Sequence, residues 1–119
     1  MIDSILTSIK KLLGLTEECT DFDDDIIMDI NTVFMDLKQL GVGPSEGFSI
    51  EDDTAVWTDF INVEINPEMK PILSATKSYI HLKVKLLFDP PLSSAVEKAV
   101  NERIDELEWR LNVEAESEQ

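Results

Sequence analysis

Apolar residues recur along most of this chain at spacings of three and four, the pattern of helices that bury one face. Ile2, Ile5, Leu6, Ile9, Leu12 and Leu13 define a first short helix that Gly14 ends. Asp3 or Ser4 is placed to cap its first turn, and Lys10 and Lys11 lie at the negative end of its dipole. A polar connection, Leu15 to Thr20, leads to a longer helix from about Asp21, whose stripe is Ile26, Ile27, Ile30, Val33, Phe34, Leu37 and Leu40.

The glycine-rich segment 41–47 reads as a loop. Beyond it, Phe48, Ile50, Val56, Trp57, Phe60 and Ile61 stand among Glu51, Asp52, Asp53 and Asp59. Asp53 or Thr54 is placed to cap one or two turns that present Trp57, Phe60 and Ile61 together, either to cover the core or to meet a partner. Pro71 suits the first turn of the next helix, whose stripe of Ile72, Leu73, Thr76, Tyr79, Ile80, Val84 and Leu87 runs to Phe88. Asp89-Pro90-Pro91 then breaks the chain.

A final helix opens with Ser94 and Glu97 at capping-box spacing and carries Val96, Val100, Ile104, Leu107 and Leu111. Trp109 falls off that stripe, as an exposed or intersubunit anchor or as cover for a helix edge, and Glu114 to Gln119 reads as a frayed acidic tail. The expected fold is all-α: a small antiparallel bundle of about four main helices, with a short helix in the 48–61 insert. It forms a single domain over residues 1–113, followed by the tail at 114–119.

Composition sharpens this picture. The 119 residues hold 25 Asp and Glu against 10 Lys and Arg, a formal net charge of -15. Proteins that grip DNA neutralise phosphates with basic residues, so direct nucleic-acid binding is disfavoured, as is attachment to an anionic membrane. The charge is segregated: residues 21–62 carry eleven acids and one lysine, whereas residues 63–92 carry four lysines and three acids. Lys70, Lys77, His81 and Lys85 lie along one side of their helix, which suits packing against an acidic helix or a head-to-tail contact between copies.

Candidate chemistry is sparse. Asp21, Asp23, Asp24 and Asp25 resemble the opening of a calcium loop, but Ile26 and Thr32 stand where that loop needs Gly and Glu. The aspartates instead suit the cap and the positive end of a helix dipole. His81 reads as a solvated side chain rather than a general base, and Cys19 as a passive thiol in a reducing compartment. The glycine-rich loop lacks the Gly-Lys-Ser/Thr ending of a phosphate site. No catalytic, cofactor-binding or metal-binding residue is assigned. The first residues lack the order of a signal peptide and no apolar run approaches the ~20 residues of a membrane helix, so a soluble, intracellular protein is expected.

Several strings are more specific than composition. Asp23-Asp24-Asp25-Ile26-Ile27-Met28, Ile30-Asn31-Thr32-Val33-Phe34-Met35, Gln39-Leu40-Gly41-Val42-Gly43-Pro44 and Gly47-Phe48-Ser49-Ile50 resemble the head-tail connector proteins of tailed bacteriophages. The Phe88-Asp89-Pro90-Pro91 junction and Glu108-Trp109-Arg110-Leu111-Asn112 in the closing helix are similar as well. The resemblance runs from about Ile5 to Val113, while Asn66 to Lys70 and the C-terminal end match poorly.

That resemblance implies a non-enzymatic structural protein without cofactors, of which about a dozen copies form a ring beneath the portal. The ring extends the DNA channel, meets the tail or a stopper protein, assembles in the bacterial cytoplasm and ends at the head-tail interface of the virion. DNA passes through without tight binding. On this reading Asp23, Asp24, Asp25, Glu51, Asp52 and Asp53 are candidates to face the lumen, and Lys70, Lys77, Lys85, Trp57, Phe60 and Trp109 to contact neighbouring subunits or the portal. The alternative from another class is an acidic decoy that occupies the DNA groove of a host enzyme.

Overall fold

Tyr79, Ile80 and Val84 are fully buried, and the helix that carries them is the one on which the rest of the chain packs. The structure is a computed structural model that describes residues 4–117. Within them the chain forms α1 (Ile5–Leu12), α2 (Asp23–Gln39), α3 (Trp57–Phe60), a 3-10 turn at Pro67–Met69, α4 (Lys70–Phe88) and α5 (Ser94–Ser117). This is the expected all-α bundle with a short helix in its insert. Ile2, Asp3, Glu118 and Gln119 lie outside the described residues.

The apolar face of α2, with Ile26, Ile30, Val33, Phe34 and Leu37, covers one side of α4, and Ile104, Leu107 and Leu111 of α5 cover another. Both run antiparallel to α4: Phe22 and Asp36 of the α2 segment meet Phe88 and Lys83, and in α5 Glu108 meets Tyr79 while Val113 and Glu114 lie by Pro71 and Ile72. Ile5, Leu6 and Ile9 seat α1 on the same core. Thr76 is buried without cost because its hydroxyl donates to the Ile72 carbonyl at 2.8 Å.

Helix ends depart from expectation in instructive ways. α2 starts at Asp23 behind Phe22, with no side-chain cap, so its three opening aspartates favour the helix through its dipole and not as caps. Ser93, not Ser94, caps α5 by accepting from the Val96 N–H at 3.4 Å. For α3 the cap comes from Asp59, which accepts from the Val56 N–H at 2.9 Å, not from Asp53 or Thr54. Residues 114–117 continue α5 instead of fraying, because Ala115 packs against the turn at Gly41 and Asn112 donates to the Leu40 carbonyl at 3.3 Å. Leu87 and Val96, placed in buried stripes by their spacing, are about half exposed because α4 and α5 run past their cover.

Two polar devices fix the irregular segments. Asn31 pairs with both backbone groups of Ile50, accepting from its N–H at 2.8 Å and donating to its carbonyl at 2.9 Å, which pins the insert along α2. Lys10, at the C-terminal end of α1, is only 3% exposed. Its ammonium donates to the Glu17 carbonyl at 3.0 Å and lies 2.9 Å from Asp23 Oδ1, a close ion pair rather than a directed hydrogen bond. The connection 15–20 is thereby tied down, and the two helices flanking it are joined.

Lys10→Met should destabilise the fold by about 2 kcal/mol or more in urea unfolding, since it strands a partly buried carboxylate, and adding Asp23→Asn should recover part of the loss. Gly43 has φ +90°, and a Cβ there would overlap the Phe60 ring, which packs against Phe34 and Phe48 with centroids 4.8 and 5.3 Å away. Gly43→Ala should therefore cost about 2 kcal/mol, read as a lowered thermal midpoint.

Candidate functional site

The candidate contact residues divide into those the fold consumes and those it leaves outside. Trp57 and Phe60 are each 5% exposed and belong to the core, which removes them as partner contacts. Trp57 Nε1 donates to Ser8 Oγ at 3.1 Å, and Phe60 fills the aromatic cluster with Phe34 and Phe48. Lys77 lies over the Trp57 ring, 5.3 Å from its centroid, so its charge is engaged within the subunit. Lys85 has Asp89 at 3.8 Å, and Lys70 is exposed at the first turn of α4. Trp109 is 68% exposed on α5.

His81 is not the solvated side chain its spacing predicted. Half-burial, and then the Lys85 ammonium, hold its imidazole below the usual histidine range, partly offset by a hydrogen bond to the backbone of Leu12. The basic side of α4 is therefore a seam toward α1 and α3 over its middle, and free of them only toward its ends.

Among the candidate acids, Asp23 is the correction: its carboxylate is partly buried against Lys10 instead of facing a lumen. Asp24, Asp25, Glu51, Asp52 and Asp53 are exposed. Gly47 lies beside Lys38 and Ile50 beside Asn31, so the insert runs back along α2 toward the turn that carries Asp24 and Asp25. Burial and the neighbouring Asp25 raise the Asp29 carboxyl above the usual range. Asp24 and Asp25 open α2, and Glu51, Asp52 and Asp53 follow Ile50 in the insert held against that helix.

A second polar group was not legible in the spacing. The Tyr79 hydroxyl donates to Glu108 at 2.7 Å, and Lys83 donates to Asp36 at 2.7 Å and lies 4.0 Å from Glu108. This network joins α2, α4 and α5 across the core edge. The burial of Tyr79 and the charge of Glu108 push the phenol far above its normal range, so it stays protonated as a donor. A tyrosine inside an apolar stripe was the available signal, since a buried hydroxyl needs a partner.

Among the described residues no group of three or more His, Cys, Asp and Glu comes together to hold a metal ion. None of the described helices is long and apolar enough to cross a membrane. What the surface offers is apolar side chains that nothing covers: Met28, Leu87, Leu92, Val96 and Trp109 are all exposed. Such residues on a small helical bundle suit contact with other protein surfaces better than chemistry on a small molecule.

Comparison with known proteins agrees with that character. No curated protein and no solved structure matches the chain. A family model described as phage connector protein matches residues 5–118, from the first turn of α1 to beyond the last described turn of α5. With all five helices inside that match, the chain belongs to the phage connector protein family.

Proposed function

We propose that this connector protein closes into a ring of about a dozen copies beneath the portal of a DNA-filled head. The ring extends the DNA channel and presents its other side to the tail or to a stopper protein. Assembly takes place in the bacterial cytoplasm, and the ring's final position is the head-tail interface. The family match over residues 5–118 is the observation that carries this reading.

The distribution of charge supports it. A conduit wall rich in Lys and Arg would hold phosphates and hinder the duplex, whereas an acidic wall leaves it mobile. Asp24, Asp25, Glu51, Asp52 and Asp53 are exposed and supply such a wall, while three of the cations nearest the core are engaged within the subunit: Lys10 with Asp23, Lys83 with Asp36 and Lys77 with Trp57. Lys70 and Lys85, toward the ends of α4, serve contacts with neighbouring subunits or the portal.

Mixing the purified protein with its portal and measuring the mass of the complex should show about a dozen connector copies per portal ring. Absence of binding to any portal or tail component would overturn the proposal. Lys70→Glu, which leaves the core untouched, should weaken assembly severalfold at low salt, and raised salt should weaken the unmodified ring as well. The protein should not retard duplex DNA in a gel even at low ionic strength.

A further inference from the structure

The polar network at the core edge is unevenly balanced. Lys83 donates to Asp36 of α2 at 2.7 Å and lies 4.0 Å from Glu108 of α5, so one ammonium stands between two carboxylates carried by different helices. Among the described residues no other cation pairs with either of them. The remaining partner of Glu108 is the Tyr79 hydroxyl, which donates at 2.7 Å and carries no charge. All three charged side chains are only partly exposed.

The two helices that carry those carboxylates are not equally held. α2 is tied to α1 by Lys10 and Asp23 at 2.9 Å, to the insert by Asn31 and Ile50, and to the aromatic cluster by Phe34. It buries five apolar side chains in 17 residues. α5 spans 24 residues, and among the described ones only Ile104, Leu107 and Leu111 are buried. From Ser94 to Arg103 no residue is buried, and the junction before them carries Pro90 and Pro91. Toward the α2 side α5 has, besides the network, the Asn112 bond to the Leu40 carbonyl at 3.3 Å and the contact of Ala115 with the turn at Gly41. An element with few buried apolar side chains and a long exposed stretch is the kind that opens before the rest of a fold.

We infer that α5 is a strap that opens from α4 as a unit, and that Lys83 is the latch that holds it shut. With the ammonium in place, Asp36 and Glu108 are both drawn to it. Without it, two like charges face each other across the gap between α2 and α5, where partial burial screens them less than open water does. α2 is fixed along its length, so α5 is the side that yields, turning about the Asp89-Pro90-Pro91 junction. Opening uncovers Ile104, Leu107 and Leu111 together with the face of α4 that they cover. The closed strap therefore keeps that apolar surface from water, and one cation controls it. The inference goes beyond the ring reading and does not depend on it.

Amide hydrogen exchange on the full chain tests strap and latch separately. In the unmodified protein the amides of Leu107 to Leu111 should exchange about tenfold or more faster than those of Ile80 to Val84, and with a weaker dependence on low urea, because the opening exposes less surface than global unfolding. Lys83→Met keeps the aliphatic stem and removes the charge. It should speed α5 exchange by about another tenfold while α2 changes far less. Adding Asp36→Asn removes the charge that repels Glu108 and should slow α5 again. Lys98→Met, the same substitution at an exposed lysine of α5, should leave the pattern unchanged. Exchange of α5 in step with α4 in the unmodified chain overturns the strap, and that measurement needs no variant to fold. Equal acceleration of α2, α4 and α5 by Lys83→Met, an equal effect of Lys98→Met, or no reversal by Asp36→Asn overturns the latch.

Discussion

A single helix, α4, has to be covered on more than one side, and most of the structure follows from how that is done. Tyr79, Ile80 and Val84 leave no room for water, so α2 and α5 must both lie against α4 and α1 must close what remains. The polar atoms that this arrangement traps are matched within it. Tyr79 finds Glu108, Lys83 finds Asp36, and Thr76 returns its hydroxyl to its own helix. A buried donor without a partner would cost about as much as a lost hydrogen bond, and these contacts also select the angle at which the flanking helices lie.

The same constraint governs charge. With 25 acids and 10 basic side chains, the folded chain repels itself, and three of the scarce cations sit where elements join. Lys10 sits at the junction of α1 and α2, Lys83 at the junction of α2, α4 and α5, and Lys77 on the indole that closes the insert. The remaining exposed cations, among them Lys38, Lys70, Lys98 and Arg103, are outnumbered by the exposed acids.

For a member of the phage connector family, the exposed apolar groups are as informative as the buried ones. The core ends before α4 and α5 do: Leu87, Leu92 and Val96 extend the apolar pattern past the point where this chain covers it. Isolated bundles gain nothing from such overhang, since exposed apolar patches favour association. Subunits that cover one another's exposed apolar groups would gain from it.

Helix positions, the break at Asp89-Pro90-Pro91, the helix-starting role of Pro71 and the membership suggested by the specific strings were all legible in the order of residues. Periodicity and proline stereochemistry are local properties of the chain. What the sequence could not decide was which residues outside the stripes are buried. Lys10 and Lys77 look like ordinary surface lysines until α2 and the Trp57 insert fold against them, and Asp23 resembles its neighbours Asp24 and Asp25 until Lys10 arrives. Conversely, Leu87 and Val96 obey the apolar spacing, yet no element reaches far enough to cover them. Spacing shows which face of a helix is apolar. Only the tertiary structure decides how much of that face is met by another part of the same chain, because cover depends on the lengths and crossing points of helices distant in sequence.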